Sequence, residues 1–216
     1  MSTVVEASPG GMTAALSRAR LAQGVTAGWL VLELALALLA GVAARSVALT
    51  AFGADSAVEL VTAVVVLRQL RGPSFEVGSA SPEARRASRV VGIGLYGVAA
   101  YIVLASGVSL LAGLRPSDGL LGLSVASLSV VVMTALWRWR LRLSEELHSA
   151  PLRADAACSA VCVYMGLTLL GGVALNQFLG WWWADQVAAL GMTWWIVKEA
   201  REAMQSARTG EHCETC

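Results

Sequence analysis

Residues 49–67 read LTAFGADSAVELVTAVVVL, an apolar run long enough to cross a bilayer that nevertheless contains Asp55 and Glu59. A carboxylate near the middle of a membrane costs roughly 2.5–3.5 kcal/mol on insertion scales, so two in one span indicate a function. At a spacing of four, both carboxylates lie on the same face of a helix. Like charges in a low dielectric repel unless a cation or a proton lies between them, and our working hypothesis is a metal ion.

The composition of the whole chain indicates an integral membrane protein. Of its 216 residues, 56% are hydrophobic and only 14% are charged, whereas about a quarter of the residues of a soluble domain are charged. The first twenty residues lack an apolar core and end in Arg18 and Arg20, so they do not resemble a cleavable signal peptide. We expect neither an enzymatic activity nor a nucleic-acid partner.

Six apolar segments of about 20 residues account for nearly the whole chain, so the sequence predicts an all-α bundle of six membrane helices. The segments cover approximately residues 25–44, 47–70, 90–114, 120–137, 152–175 and 181–204. They predict a leader at 1–24, a transmembrane domain at 25–205 and a tail at 206–216, with a polar loop at 71–89 and a charged connector at 138–148.

The basic residues predict the orientation in the membrane. Nearly all of them lie beside one set of alternating loops and ends: Arg18, Arg20, Arg68, Arg71, Arg85, Arg86, Arg89, Arg138, Arg140, Arg142, Arg153, Lys198, Arg201 and Arg208. Only Arg45 and Arg115 fall on the opposite side. By the positive-inside rule, both termini are expected in the cytoplasm.

Cys158 and Cys162 repeat the spacing of Asp55 and Glu59 inside the fifth apolar segment. If the second and fifth helices face each other, the four groups converge near the middle of the membrane. Two thiolates and two carboxylates suit a tetrahedral, borderline-soft ion such as Zn²⁺ or Cd²⁺, whereas Mg²⁺ and Ca²⁺ prefer oxygen ligands. The alternative is that the cysteines are small packing residues.

Such a site would exchange metal for protons. Thiols deprotonate when they bind a metal, so loading releases protons. Four ionised ligands around a divalent cation leave a formal charge of about −2, and the empty site is therefore expected to hold protons. No resident cofactor is expected, because the metal would be the transported ion.

Several segments resemble the cation diffusion facilitator family. Residues 41–49 (GVAARSVAL) and 51–59 (AFGADSAVE) resemble its first and second spans, and residues 152–162 (LRADAACSAVC) its fifth. Residues 183–190 (WADQVAAL) and 196–200 (IVKEA) are similar to its sixth span. The resemblance covers nearly all of residues 25–205. It implies a six-helix transporter, usually a homodimer, that exports divalent metal from the cytoplasm across a bacterial-type inner membrane in exchange for protons.

The resemblance also implies a ligand set, from which this chain departs. The second span of the family carries an acidic residue or His and, four positions later, Asp; Asp55 matches the first and Glu59 replaces the second. The fifth span usually offers His and Asp, where this chain has Cys158 and Cys162. The sulfurs favour thiophilic ions, zinc and cadmium first, with Cu(I), Hg²⁺ or Pb²⁺ as alternatives. A cytoplasmic metal-binding domain usually follows the sixth span; without it, we expect dimerisation to depend on the membrane helices or on a part that the sequence does not reveal.

Two further acidic residues have open interpretations. Asp155 lies one turn before Cys158 and either relays protons or pairs with Arg153. Asp185 orients the sixth helix, lines an exit path, or is exposed to water at the interface. Glu33, inside the first segment, is a third membrane carboxylate to which the sequence assigns no partner.

The tail contains His212, Cys213 and Cys216. Cys-x-x-Cys is a chelating spacing, so the tail either captures metal from the cytosol or is a free end. His148 is expected on a solvated surface. Two other readings of the whole chain stay open: a membrane sensor or modulator that binds metal without transporting it, and a structural membrane protein whose cysteines only pack.

Overall fold

The computed structural model describes residues 9–71, 82–115, 120–147 and 150–209 of the chain. Within these ranges, it leaves the side chains of residues 9–13, 82–84, 87, 150–151, 154–155 and 157–158 undescribed. The elements are six helices: α1 (Pro9–Ala44), α2 (Val47–Arg71), α3 (Pro82–Ala112), α4 (Leu120–Leu147), α5 (Ala150–Leu179) and α6 (Ala184–Thr209). This part of the chain contains no strand, which confirms the predicted all-α class.

Five of the helices, counted over the described residues, are long and apolar enough to cross a membrane. They comprise Ala14–Ala44, Val47–Arg71, Ser88–Ala112, Leu120–Leu147 and Ser159–Leu179. The sixth helix is long, but charged residues such as Lys198, Arg201 and Glu202 in its second half set it apart from the others. It packs along α3 and also contacts α2 and α5.

Two helices extend well beyond the predicted apolar segments. α1 begins at Pro9 rather than near residue 25, because Ala15, Ala19 and Ala22 are buried in a cluster that also contains Leu70. The predicted connector at 138–148 is wrong for residues 138–147, because α4 continues to Leu147. The buried positions of this stretch recur with helical period: Leu136, Arg140, Leu143, Ser144 and Leu147.

The predicted turn between the first two helices is confirmed. Arg45 has φ 52°, a left-handed conformation more usual for glycine at this position after a helix. The Ser46 backbone N–H donates to the Gly41 carbonyl at 2.9 Å, and the Ser46 hydroxyl accepts from the Leu49 N–H at 3.0 Å, which caps α2. A Cβ on Gly41 would lie 2.6 Å from the Thr50 side chain, so glycine permits the close approach of α1 and α2.

The second helix is the centre of the bundle, in contact with α1, α3, α5 and α6. The buried positions of its middle part include Phe52, Asp55, Ser56, Glu59 and Ala63. The second and fifth helices are thus in contact, as the convergence of the candidate ligands requires. α4 packs against α5 and also contacts α1.

The bundle has a basic end and an opposite end. At the basic end, the start of α1 meets the ends of α2 and α4 and the start of α5 through a cluster that includes Leu70, Leu143 and Leu152. Arg20 donates to the Leu70 carbonyl at 2.7 Å, and Arg85 donates to carbonyls near the end of α6. Because the helices alternate in direction, the arginines near these helix ends gather at the basic end, and Arg45 lies at the opposite end.

Candidate ion-binding site

Asp55 of α2 and Cys162 of α5 are in direct contact in the interior of the bundle. The Cys162 thiol donates to Asp55 Oδ2 over 3.6 Å, and the two residues are only 6% and 4% exposed. Both helices present these groups because the apolar positions around them, including Phe52 and Met165, are packed in the same core. The predicted meeting of a carboxylate and a thiol therefore occurs for this pair.

Glu59 lies one turn from Asp55 toward the basic end, on the same buried face of α2. Its Oε1 accepts a hydrogen bond of 2.7 Å from the hydroxyl of Ser159 on α5. Ser159 precedes Cys162 by three residues and therefore shares its helix face. Ser159 was not predicted as part of the site, because a hydroxyl is neither a thiol nor a carboxylate, although its i, i+3 relation to Cys162 is visible in the sequence.

A buried arginine completes the surroundings of Glu59. Arg140 of α4 is fully buried, and its Nη2 lies 3.9 Å from Glu59 Oε1 while also donating to the Ser159 hydroxyl. The sequence reasoning missed it because Arg140 was grouped with the charged connector. Its position among Leu136, Leu143 and Leu147 was the available signal, since that spacing continues the buried face of α4.

This arginine changes the electrostatic premise of the site. The hypothesis from the sequence was that only a metal ion or a proton separates the two carboxylates. The Arg140 guanidinium supplies a positive charge from the protein itself beside Glu59. With Asp55, Glu59 and Cys162 ionised, the group including Arg140 has a formal charge of about −2, which one divalent ion would neutralise.

Glu33 forms a third buried carboxylate next to the pair. Its Oε1 accepts from the Ser56 hydroxyl at 2.8 Å, and its Oε2 accepts from the indole N–H of Trp29 at 2.6 Å. Ser129 of α4 is a further polar neighbour of this carboxylate. Since Ser56 directly follows Asp55, these contacts connect α1 and α4 to the part of α2 that carries the candidate ligands.

Asp185 lies at the opposite end of the bundle and caps α2. Its Oδ1 accepts from the Ser46 hydroxyl at 2.5 Å, and its Oδ2 accepts from the backbone N–H groups of Val47 at 3.0 Å and Ala48 at 3.4 Å. It is 2% exposed, so the interpretation as a water-exposed interfacial residue is wrong. A carboxylate at a helix N-terminus is favourable, and here it fixes the start of α6 to the start of α2.

Some predicted residues lie outside what the structure describes. Asp155 and Cys158 are within α5, but their side chains are not described, and His148, His212, Cys213 and Cys216 fall outside the described residues. Among the described side chains, no group of three or more His, Cys, Asp and Glu is arranged to hold a metal ion. The described part of the site is thus the Asp55–Cys162 contact together with the neighbouring Glu59, Ser159 and Arg140.

Neither the models of known protein families nor the curated proteins give a match to this chain. A functional interpretation therefore depends on the buried polar groups and on the resemblance of the segments in which they lie.

Proposed function

We propose that this protein is a transporter of the cation diffusion facilitator type that exports a thiophilic divalent metal ion, Zn²⁺ or Cd²⁺, in exchange for protons. The observation that carries the proposal is the contact between Asp55 and Cys162, a carboxylate and a thiol on two different helices in the interior of an apolar bundle. Buried ionisable groups in a membrane protein are costly and typically mark an ion pathway.

The chemistry of the donors supports the choice of ion. A thiolate with one or two carboxylates matches the ligand preferences of Zn²⁺ and Cd²⁺ better than those of Mg²⁺ or Ca²⁺. Cys158 would supply the fourth ligand in the proposed set of Asp55, Glu59, Cys158 and Cys162. Cu(I), Hg²⁺ and Pb²⁺ stay as alternatives, because each also accepts sulfur ligands.

Transport would proceed by alternating access of the α2–α5 pair to the two sides. The basic end would face the cytoplasm, as the positive-inside rule predicts, and all six helices including α6 would cross the membrane. Metal would load at that end, and protonation of the carboxylates or thiols would favour release at the other. A homodimer belongs to the proposal: Gly97 and Gly107 of α3 have open space where a Cβ would lie, and small residues permit close helix contact in lipid.

A second candidate function is a membrane protein whose buried charges tie its helices together without transport. The observation that favours it is the Arg140–Glu59–Ser159 group, which joins α4, α2 and α5 with no metal required. A sensor that binds metal at Asp55 and Cys162 without turnover is a separate alternative.

Metal flux into inverted vesicles under an acid-inside gradient separates these candidates. We expect Cd²⁺ or Zn²⁺ uptake by the wild type and a loss of about tenfold or more in Asp55→Asn and Cys162→Ala, because each removes a ligand. Glu146→Gln is the matched control, since Glu146 is an exposed carboxylate paired with Arg18. Metal binding without flux would favour the sensor. If the protein shows no metal binding and no flux, the remaining candidate is the protein whose buried charges only tie its helices together.

A further inference from the structure

The largest fully buried side chain among the described residues belongs to Arg140. Guanidinium groups normally reach water or headgroups, and burial is tolerated only where the charge is paired and hydrogen-bonded. Here Glu59 Oε1 is 3.9 Å from Nη2, and the Ser159 hydroxyl bridges the two groups by accepting from Arg140 and donating to Glu59. The positive charge is thus placed against one of the candidate metal ligands.

The arginine reaches Glu59 from the basic end. Leu70 near the end of α2 packs in one cluster with Leu143 and Leu147 of α4, so these two helix ends lie close together at the basic end. At a rise of about 1.5 Å per residue, Arg140 lies about 10 Å along α4 from its end, whereas Glu59 lies about 18 Å along α2 from its end. The side chain therefore extends into the bundle, and a flexible arginine stem can also extend toward the interface.

A divalent ion that takes Glu59 as a ligand would compete with this guanidinium. Both cations need the same carboxylate, and two positive charges at that distance in a low dielectric repel each other strongly. Ser159 offers no replacement, because a neutral hydroxyl cannot compensate a second cation.

We propose that Arg140 is a tethered counter-cation, which neutralises Glu59 in the metal-free protein and withdraws toward the basic end when a divalent ion binds Glu59. This inference rests on the proposed function and adds a residue that sets its affinity. The competition weakens metal binding, and a transporter needs such weakening because an ion held too tightly is not released.

The first test measures Cd²⁺ affinity by titration calorimetry of the purified protein. Arg140→Met keeps the length of the stem and removes the charge, so it should bind Cd²⁺ about tenfold more tightly than the wild type, whereas Arg140→Lys should stay within about threefold. In a Glu59→Gln background, Arg140→Met should change the affinity less than it does in the wild-type background, since the shared ligand is gone. Equal or weaker Cd²⁺ binding by folded Arg140→Met would overturn the proposal.

The second test needs no variant, because removing one member of a buried ion pair can prevent folding. Phenylglyoxal modification of Arg140 is followed by peptide mass spectrometry on the detergent-solubilised wild type with and without saturating Cd²⁺. Arg138 and Arg142, both exposed on the same helix, serve as internal references. We expect Cd²⁺ to accelerate modification of Arg140 about fivefold or more and to leave the references within about twofold, since only Arg140 changes its surroundings.

The two tests distinguish this inference from the proposed function. A wild type that binds neither Cd²⁺ nor Zn²⁺ would overturn both. If Cd²⁺ binds but the reactivity of Arg140 with phenylglyoxal does not change, only the proposal that Arg140 is a counter-cation would be overturned.

Discussion

Cys162 is the residue that would separate soft from hard cations at the candidate site. Its sulfur is 3.6 Å from Asp55, inside a core where no bulk water competes for either group. A thiolate binds Cd²⁺ and Zn²⁺ better than an oxygen ligand of the same size does, and the gain is larger for the softer ion. The identity of this one atom should therefore control the ratio of the two affinities.

Cys162→Ser tests this directly, because serine keeps a small donor facing Asp55 while it replaces sulfur with oxygen. We expect the affinity for Cd²⁺ to fall about tenfold more than the affinity for Zn²⁺, as measured by competition titrations on purified protein. Cys158→Ser, in parallel, shows whether the other cysteine is also a ligand. An unchanged Cd²⁺/Zn²⁺ ratio in Cys162→Ser would mean that its thiol does not bind the ion.

At the scale of helices, apolar runs in the sequence predicted the interiors well and the ends poorly. The turn at Arg45 and the end of α2 coincide with breaks in hydropathy, and both were located correctly. A hydropathy average includes all sides of a helix, whereas the residue at which a helix ends depends on whether one of its faces stays buried. For this reason the sequence placed residues 138–147 in a connector, although α4 buries Leu143 and Leu147 there.

The same distinction explains which parts of the candidate site were predictable. Asp55 with Glu59, and Cys162 with Cys158, were found because a spacing of four is a property of a single helix. The pairing of Arg140 with Glu59 joins residues on different helices and depends on how α4 rotates against α5. No pattern within one helix contains that information.

The tie between α6 and the start of α2 gives a prediction at this scale. Asp185→Asn keeps the shape of the side chain but removes the negative charge that faces the N-terminus of α2, so it should lower the unfolding free energy by about 1–3 kcal/mol. Thermal unfolding in detergent measures the change. Glu202→Gln on the same helix removes the charge of a partly exposed pair with Lys198 and should cost less than about 0.5 kcal/mol. Equal losses in the two variants would show that the cap does not stabilise the bundle.

At the scale of the whole molecule, the alternation of helix direction and the grouping of charge are consistent with one another. A path of six helices brings the start of α1 and the end of α6 to the basic end, where Arg85 of α3 contacts the carbonyls of Ala207 and Arg208. Five helices have the composition of membrane spans, and α6 is placed beside them by its packing along α3. If α6 also crosses the membrane, its two ends lie on opposite sides of the bilayer; if it does not, they lie on the same side.

Cysteine accessibility in intact bacterial cells tests this topology. In a background with all four native cysteines replaced by serine, single cysteines at exposed positions report the two ends: Ser17→Cys and Arg208→Cys at the basic end, Arg115→Cys and Trp183→Cys at the other. Because positive residues are retained in the cytoplasm, a membrane-impermeant maleimide should label Arg115→Cys and Trp183→Cys directly and the other two only after permeabilisation. The parent without cysteine controls for background. Direct labelling of both Trp183→Cys and Arg208→Cys would show that α6 lies on one side of the membrane, which would contradict a six-span transporter.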